Sequence, residues 1–432
     1  MTKVITYGTY DLLHRGHVRL LERAKELGDY LIVGVTADDF DKVRGKINVQ
    51  QPLMERVEAV RKLGIADEII VEEYEGQKID DIRRYGVDIF TVGSDWEGKF
   101  DYLKEYCKVV YLERTKGVSS SEIRQKKQTL RMGIVGENGA LKKYAAESRF
   151  VNGLEISGVC SLDKWILSEI KNDGFKTVST YAALLRRSDA VYVASHPSLH
   201  VRQIRQALNA GKHVLCESPI ALSKRDCEGL LSLAERKGLV LMDAIKTAYA
   251  TAYNRMVLMA KDGRIGEIVS VDATCTSLAA KEAIDNHWAW NSSCAWGPTA
   301  LLPILQLLGP DAKSVNKTSF FVKGKRGFDT FSKFDFVYPR AVATAKVGKG
   351  VKSEGELVVS GTKGYIYVPA PWWKTDYYEI RYENPADNRR YFFQLDGEGI
   401  RQELVSFVRA IWGGARFGVS AQESAKISEM MK

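Results

Sequence analysis

The run Val4-Ile5-Thr6-Tyr7 passes through Gly8-Thr9-Tyr10-Asp11-Leu12-Leu13-His14-Arg15-Gly16-His17 into a stretch whose apolar residues include Val18, Leu20, Leu21 and Ala24. A strand that turns directly into an amphipathic helix opens a crossover, and a crossover implies a parallel sheet. Where the strand ends and the helix begins, free backbone N–H groups and the positive end of the helix dipole favour a polyphosphate. His14 and His17, with Gly16 between them, are spaced to share one helical face and to aim both imidazoles at that phosphate. Such a pair suits a reaction in which charge builds on phosphoryl oxygens and meets preorganised donors.

Strand and helix go on alternating: strand 30–35, a polar loop with Lys42, Arg44 and Lys46, helix 53–63, strand 68–71, helix 79–85 and strand 89–92. The expected core is a parallel sheet covered on both faces, with ligands bound beyond the carboxyl ends of its strands. Two further loops fall at those ends, Gly93-Ser94-Asp95-Trp96-Glu97-Gly98-Lys99-Phe100 and Glu113-Arg114-Thr115-Lys116-Gly117-Val118-Ser119-Ser120. In the second of these, a serine can cap a helix whose free amides face a phosphate, and Arg114 adds a charged clamp.

Together these three stretches resemble the nucleotidyltransferase superfamily that includes glycerol-3-phosphate cytidylyltransferase, over residues 1 to about 128. The resemblance implies that a phosphorylated alcohol attacks the α-phosphate of CTP and releases pyrophosphate, with Mg²⁺ bridging the triphosphate. It implies catalytic roles for His14, His17, Lys46 and Arg114. It places Gly8, Thr9, Tyr10, Arg56, Gly93, Asp95, Trp96, Thr115, Ser119 and Ser120 around the nucleotide, and Asp11 and Lys78 at the acceptor. A tryptophan expected before Lys78 is replaced by Tyr74 or Glu75, so the acceptor, glycerol phosphate or a pentitol phosphate, stays open. Transfer from ATP is the alternative within the superfamily.

A second strand-to-helix opening, Arg131-Met132-Gly133-Ile134-Val135-Gly136 leading through Asn138 and Gly139, stands where a dinucleotide fingerprint would lie, although Asn138 and Leu141 replace its glycines. The stretches 188–200 and 207–219, with Gly263-Arg264-Ile265-Gly266-Glu267-Ile268, resemble the Gfo/Idh/MocA family of NAD(P)-dependent oxidoreductases. That resemblance implies a Rossmann domain followed by a mostly antiparallel sheet. Gly136, Asn138, Gly139, Ser161, Ser195, His196, His200 and Glu217 would then face the dinucleotide. Ser161, where an acid would bind an NAD ribose, tilts the choice toward NADP. The family's active-site lysine is Ser218 here, and its later Asp-x-Gly-x-His reads Ala295-Trp296-Gly297-Pro298-Thr299. Hydride transfer to a carbonyl needs a proton donor. Lys246, if desolvated, is the expected substitute, ahead of Tyr249 and His287.

The whole reads as an α/β chain: a Rossmann-like nucleotidyltransferase domain over 1–128, a dinucleotide-binding Rossmann domain over 129–250 and an α+β domain with a mostly antiparallel sheet over 251–432. A short hinge near 126–130 joins the two halves. The first 130 residues carry 22 basic against 23 acidic side chains and the remainder 41 against 31. The basic excess is scattered, which fits phosphate-bearing small molecules; no nucleic-acid motif is present. Six cysteines without metal-ligand or Cys-x-x-Cys spacing read as reduced, and no metal site of the protein's own is expected. With no apolar run of membrane length and no signal-peptide pattern, the expected location is the cytoplasm. The fusion suggests a pathway in which the second half reduces a keto-sugar phosphate to the polyol phosphate activated by the first, for a cell-surface polymer or capsule. The expected assembly is a homodimer. A non-catalytic binding or dimerisation module is the alternative for residues 131–432.

Overall fold

The computed structural model describes residues 1–37, 49, 51–73, 76–113, 129–151, 153–285, 290–322, 327–393, 395–413 and 418–431. Lys46, Arg114, Thr115, Ser119, Ser120 and His287 lie outside these residues, as does the side chain of Asp95. Contacts divide the chain into two units, Met1–Gln128 and Thr129–Lys432.

In the first unit, β1 (Lys3–Gly8), β2 (Tyr30–Thr36), β3 (Glu68–Glu72), β4 (Ile89–Gly93) and β5 (Lys108–Leu112) form a parallel sheet in the order β3-β2-β1-β4-β5. Successive residues of a strand face opposite sides, so the near-continuous apolar run of β1 fills two cores. Val4 joins Leu21, Ala24 and Val57 on one face; Ile5 and Tyr7 join Ile82, Phe90 and Phe100 on the other. Order β3-β2-β1-β4-β5 reverses direction between β1 and β4, and the carboxyl ends flanking such a reversal open a crevice.

The second unit also opens with a five-stranded parallel sheet, of β6 (Leu130–Gly136), β7 (Leu154–Cys160), β8 (Ala190–Ala194), β9 (His213–Glu217) and β10 (Leu241–Ala244), in the different order β10-β9-β8-β6-β7. An eight-stranded sheet follows, in which β12 (Ser314–Phe321), β13 (Asp329–Val337), β14 (Val342–Gly348), β11 (Ile268–Thr276), β15 (Leu357–Gly361), β16 (Gly364–Val368), β17 (Tyr377–Tyr382) and β18 (Arg389–Phe392) lie side by side in that order. Its pairs are antiparallel apart from β11 with β14. One apolar cluster runs from Met132 and Tyr192 of the parallel sheet, with Tyr144 of helix Ala140–Ser148, to Phe334 and Ile366 of the second sheet and Trp372 beside it. Helix Ser292–Leu308, apolar on nearly all sides, is buried between.

Tyr7 donates a hydrogen bond to Asp81 Oδ2 at 2.8 Å, which fixes its ring against Gly34. A Cβ on Gly34 would lie 2.2 Å from that ring. Gly34→Ala is therefore expected to lower the stability of the first unit by about 1–3 kcal/mol, the usual effect of overpacking, read as an earlier denaturant midpoint.

Candidate active sites

Between the end of β1 and helix Arg15–Lys25, the backbone of Tyr10 (φ 52°) and Leu12 (φ 49°) adopts the left-handed conformation that side chains disfavour. Asp11 and Gln51 hold it there. The backbone N–H of Gln51 donates to Asp11 Oδ1 at 2.9 Å, and the backbone N–H of Leu12 donates to Gln51 Oε1. Asp11, expected from sequence at the acceptor, is a buried brace of the turn. Arg56 is likewise inside the protein. Its Nε donates to the Gln51 carbonyl at 2.8 Å, and its Nη1 to the carbonyls of Thr9 (2.5 Å) and Thr36 (2.8 Å). A desolvated guanidinium requires such acceptors, and through them Arg56 ties three loops together. Tyr10 is buried behind His17, its ring edge-on at 5.5 Å, and supports that imidazole.

His14 caps the helix, one position outside it, and its Nδ1 accepts from the backbone N–H of Gly16 at 3.1 Å. In the neutral tautomer that this bond selects, the ring proton sits on Nε2. The rings of His14 and His17 stack at 3.9 Å with 16° between their planes, so the pair acts from one place. Beside them a small pocket is walled by Gly8, Thr9, Trp96 and Phe100, with Lys78 in its lining. A side chain at Gly8 would run into the Tyr10 ring, 2.9 Å from an added Cβ. The Lys78 ammonium is paired with Glu72, whose other oxygen accepts from Thr36 Oγ1 at 2.9 Å, and stands 4.7 Å from the Tyr7 ring centre. Trp96 comes from the turn Ser94–Trp96 that follows Gly93 at the end of β4. Gln51, Glu72 and Thr36 were not singled out in the sequence. An acid closing strand 68–72, six residues before Lys78, was the available signal for one of them.

In the second unit Gly136 has φ 155°, and a Cβ there would lie 2.4 Å from the Ala194 carbonyl oxygen; only glycine fits between β6 and β8. Asn138 bridges the turn beyond. Its Nδ2 donates to that same carbonyl (3.1 Å), and its Oδ1 accepts from the Ala140 N–H (2.8 Å). Gly139 is open on all sides at the start of helix Ala140–Ser148. Ser161 follows β7, its Oγ accepting from the Asp163 N–H at 3.1 Å. His196 caps helix Pro197–Asn209 at the surface. Ser195 and His200, by contrast, are wholly buried. The His200 ring nitrogens stand 2.8 Å from the Pro219 carbonyl and 2.7 Å from that of Ser195, and burial pushes the imidazole down to about 4. Both residues lie behind the turn, where the His200 ring links the Ser195 and Pro219 carbonyls.

A cavity of about 290 Å³ opens between the two sheets of this unit. Ser218, Ala295 and Thr299 all line it, so the three replacements fall where chemistry would take place. Glu217 lines it too and accepts a hydrogen bond from Tyr192. Burial pushes its carboxyl up to about 7, against the Tyr192 hydrogen bond and the Lys246 charge. The Tyr192 ring stacks at 3.9 Å on Tyr144, which donates to Glu403, a carboxyl raised well above its ordinary range by burial. Lys246 is not the desolvated amine expected. It is ion-paired to Glu398, which also holds Lys143 (3.1 Å) and Lys374 (2.9 Å). Burial alone would raise Glu398, but hydrogen bonds from Lys246 and Lys374 bring it down to about 2.

Comparison with known proteins follows the same division. Residues 5–126 match the cytidylyltransferase-like family model, and residues 130–244 the oxidoreductase family with an NAD-binding Rossmann fold. Glycerol-3-phosphate cytidylyltransferase of Bacillus spizizenii is 49% identical over 125 residues, which cover 29% of this chain and 96% of the relative. The Staphylococcus aureus enzyme of that name is 47% identical over 125 residues, covering 29% and 94%. In the other half, the solved structure of KijD10, a 3-ketoreductase from Actinomadura kijaniata in complex with TDP-benzene and NADP, superposes with a TM-score of 0.63. It covers 70% of this chain and 96% of that one at 19% identity, a likeness of fold. The chain therefore belongs, through its first unit, to the glycerol-3-phosphate cytidylyltransferase family, and continues into a second unit whose residues 130–244 match the model of the oxidoreductase family with an NAD-binding Rossmann fold.

Proposed function

We propose that the first unit transfers CMP from CTP to a polyol phosphate, and that the second makes that polyol phosphate by reducing the corresponding keto-sugar phosphate with NAD(P)H. The observation that carries the first half is the stacked His14–His17 pair at a helix start beside the Lys78 pocket, in a chain with relatives 47–49% identical. An acceptor phosphate oxygen attacks the α-phosphorus as the bond to pyrophosphate breaks. The negative charge that grows on the phosphoryl oxygens meets the Nε2 proton of His14 and the ring of His17, held in place before the substrate arrives. Lys78 faces the acceptor phosphate, and Thr9, Gly93 and Trp96 the nucleotide. Lys46, Arg114, Thr115, Ser119, Ser120 and Asp95 complete the pocket in this reading, and Mg²⁺ enters carried on the triphosphate. A CDP-polyol suits the building of a cell-surface polymer, and a cytoplasmic homodimer fits the same reading.

In the second unit the glycine cradle at Gly136, the open Gly139 and the start of helix Ala140–Ser148 fit a dinucleotide pyrophosphate. Ser161 leaves room for an NADP ribose phosphate. The bound nicotinamide would supply the hydride. Glu217, raised to about 7 and steadied by Tyr192, holds a proton in the cavity wall for the carbonyl oxygen. The replacements at Ser218, Ala295 and Thr299 favour a second reading, a unit that binds NADPH without turnover.

With Mg²⁺ and glycerol phosphate or a pentitol phosphate, pyrophosphate release is expected to be much faster with CTP than with ATP; equal rates overturn the assignment. His17→Ala and His14→Ala should each keep the fold, by circular dichroism, and lower turnover on the order of 10² to 10³. The double variant should lose less than the product, because the stacked rings act together. NADPH oxidation with dihydroxyacetone phosphate or pentulose phosphates should fall as pH rises through about 7, and Glu217→Gln should be slow at every pH. No oxidation with any of these ketoses, despite measurable NADPH binding, selects the second reading. Stability offers an independent check. A carboxyl raised from 4.5 to about 7 in the folded state stabilises the fold at low pH and loses that contribution as pH rises through about 7. Wild type should therefore lose more stability than Glu217→Gln across that interval.

A further inference from the structure

We infer that Lys143, Lys246 and Lys374, gathered on Glu398 in the cavity of the second unit, form a phosphate subsite that holds the phosphoryl group of a phosphorylated ketose; this rests on the reading of that unit as a reductase. Three ammonium groups from three separate elements converge here: helix Ala140–Ser148, the turn Lys246–Tyr249 and the turn Trp372–Lys374. All three lysines line the cavity, and all three reach the same carboxylate.

One carboxylate against three ammonium groups leaves a charge of +2, and like charges so close repel. A structural ion pair needs one lysine. A phosphate monoester is a dianion near neutral pH and offers several acceptor oxygens, so it matches both the residual charge and the number of donors. The backbone shows that Glu398 is placed deliberately. Gly397 (φ 62°), Glu398 (φ 53°) and Gly399 (φ 88°) are left-handed in succession, a conformation that a glutamate disfavours. A Cβ on Gly399 would lie 2.3 Å from the Lys246 carbonyl oxygen, so the turn sits directly against the lysine's own backbone. Glu398 thereby acts as a template that prevents the lysines from splaying apart before an anion arrives.

The rest of the cavity fits the remainder of such a ligand. Trp296 and Trp373, 4.7 Å apart, present aromatic faces to a short carbon chain, and Glu217 stands in the same wall as the source of the proton. The ligand class is a small ketose carrying one phosphate.

The test labels lysines of the full chain with an acetylating reagent and reads each site by mass spectrometry, in chloride, in inorganic phosphate at equal ionic strength, in dihydroxyacetone and in dihydroxyacetone phosphate. Reading each lysine separately removes any confusion with phosphate bound in the first unit. Labelling of Lys143, Lys246 and Lys374 is expected to fall severalfold with the two phosphates and not with dihydroxyacetone, while Lys142, paired with Glu169, stays unchanged. In kinetics, Lys374→Met should lower the preference for dihydroxyacetone phosphate over dihydroxyacetone, as a ratio of kcat/KM, roughly 10- to 100-fold, the loss expected for one charge-assisted hydrogen bond. Lys374→Arg should restore most of it. Protection of the three lysines without turnover of any ketose keeps the subsite and removes the reductase reading. Equal labelling in phosphate and chloride, or turnover whose preference Lys374→Met leaves intact, overturns the subsite.

Discussion

A parallel strand cannot be joined to its neighbour by a hairpin, so every connection has to cross the sheet and return, and the loops that leave the carboxyl ends collect along one edge. Both units of this protein are built on that constraint. In the first it brings the ends of β1, β2 and β4 together, so that Thr9, Thr36 and Trp96 meet although they are far apart in sequence. In the second it brings Gly136 against Ala194 and leaves Glu217 at the end of β9, in the wall of the cavity.

What such an edge lacks is rigidity, and the two units obtain it with opposite charges. Arg56 is a buried cation surrounded by backbone carbonyls, and it fixes where three loops stand relative to each other. Glu398 is an anion on a left-handed turn that draws side chains from three elements to one point. Arg56 meets three carbonyls and Glu398 three ammonium groups, partners that offset the cost of withdrawing each charge from water. Removing either would leave several polar groups unmatched at once.

The apolar periods of Val4–Tyr7, Tyr30–Val35 and Ile89–Val92 made the first parallel sheet readable, and the alternation in Tyr377–Tyr382 a strand of the antiparallel one, because these patterns are set by burial of each strand on one face or on both; the second parallel sheet followed from the family resemblance. The direction in which a polar side chain points was harder to read. Arg56, Asp11 and Tyr10 lie within or near a phosphate-binding motif, yet they turn inward, since left-handed Tyr10 and Leu12 must be braced from behind. His200 has the residue type of a ligand and the position of a structural brace; its environment is set by the carbonyls of Ser195 and Pro219, which sequence spacing does not reveal. Lys246 depends on Glu398, 152 residues away, so no local pattern could show that it is ion-paired.

Asn138 gives the second unit a property of a different kind. Its oxygen already accepts from the Ala140 N–H and its nitrogen donates to the Ala194 carbonyl, so the start of helix Ala140–Ser148 carries an internal occupant. Any phosphate that seeks the same N–H must displace that oxygen, and the net gain is the difference between two hydrogen bonds of similar kind. For a dinucleotide bound as proposed, exchange would then be a competition between the protein's own amide and the pyrophosphate for one N–H.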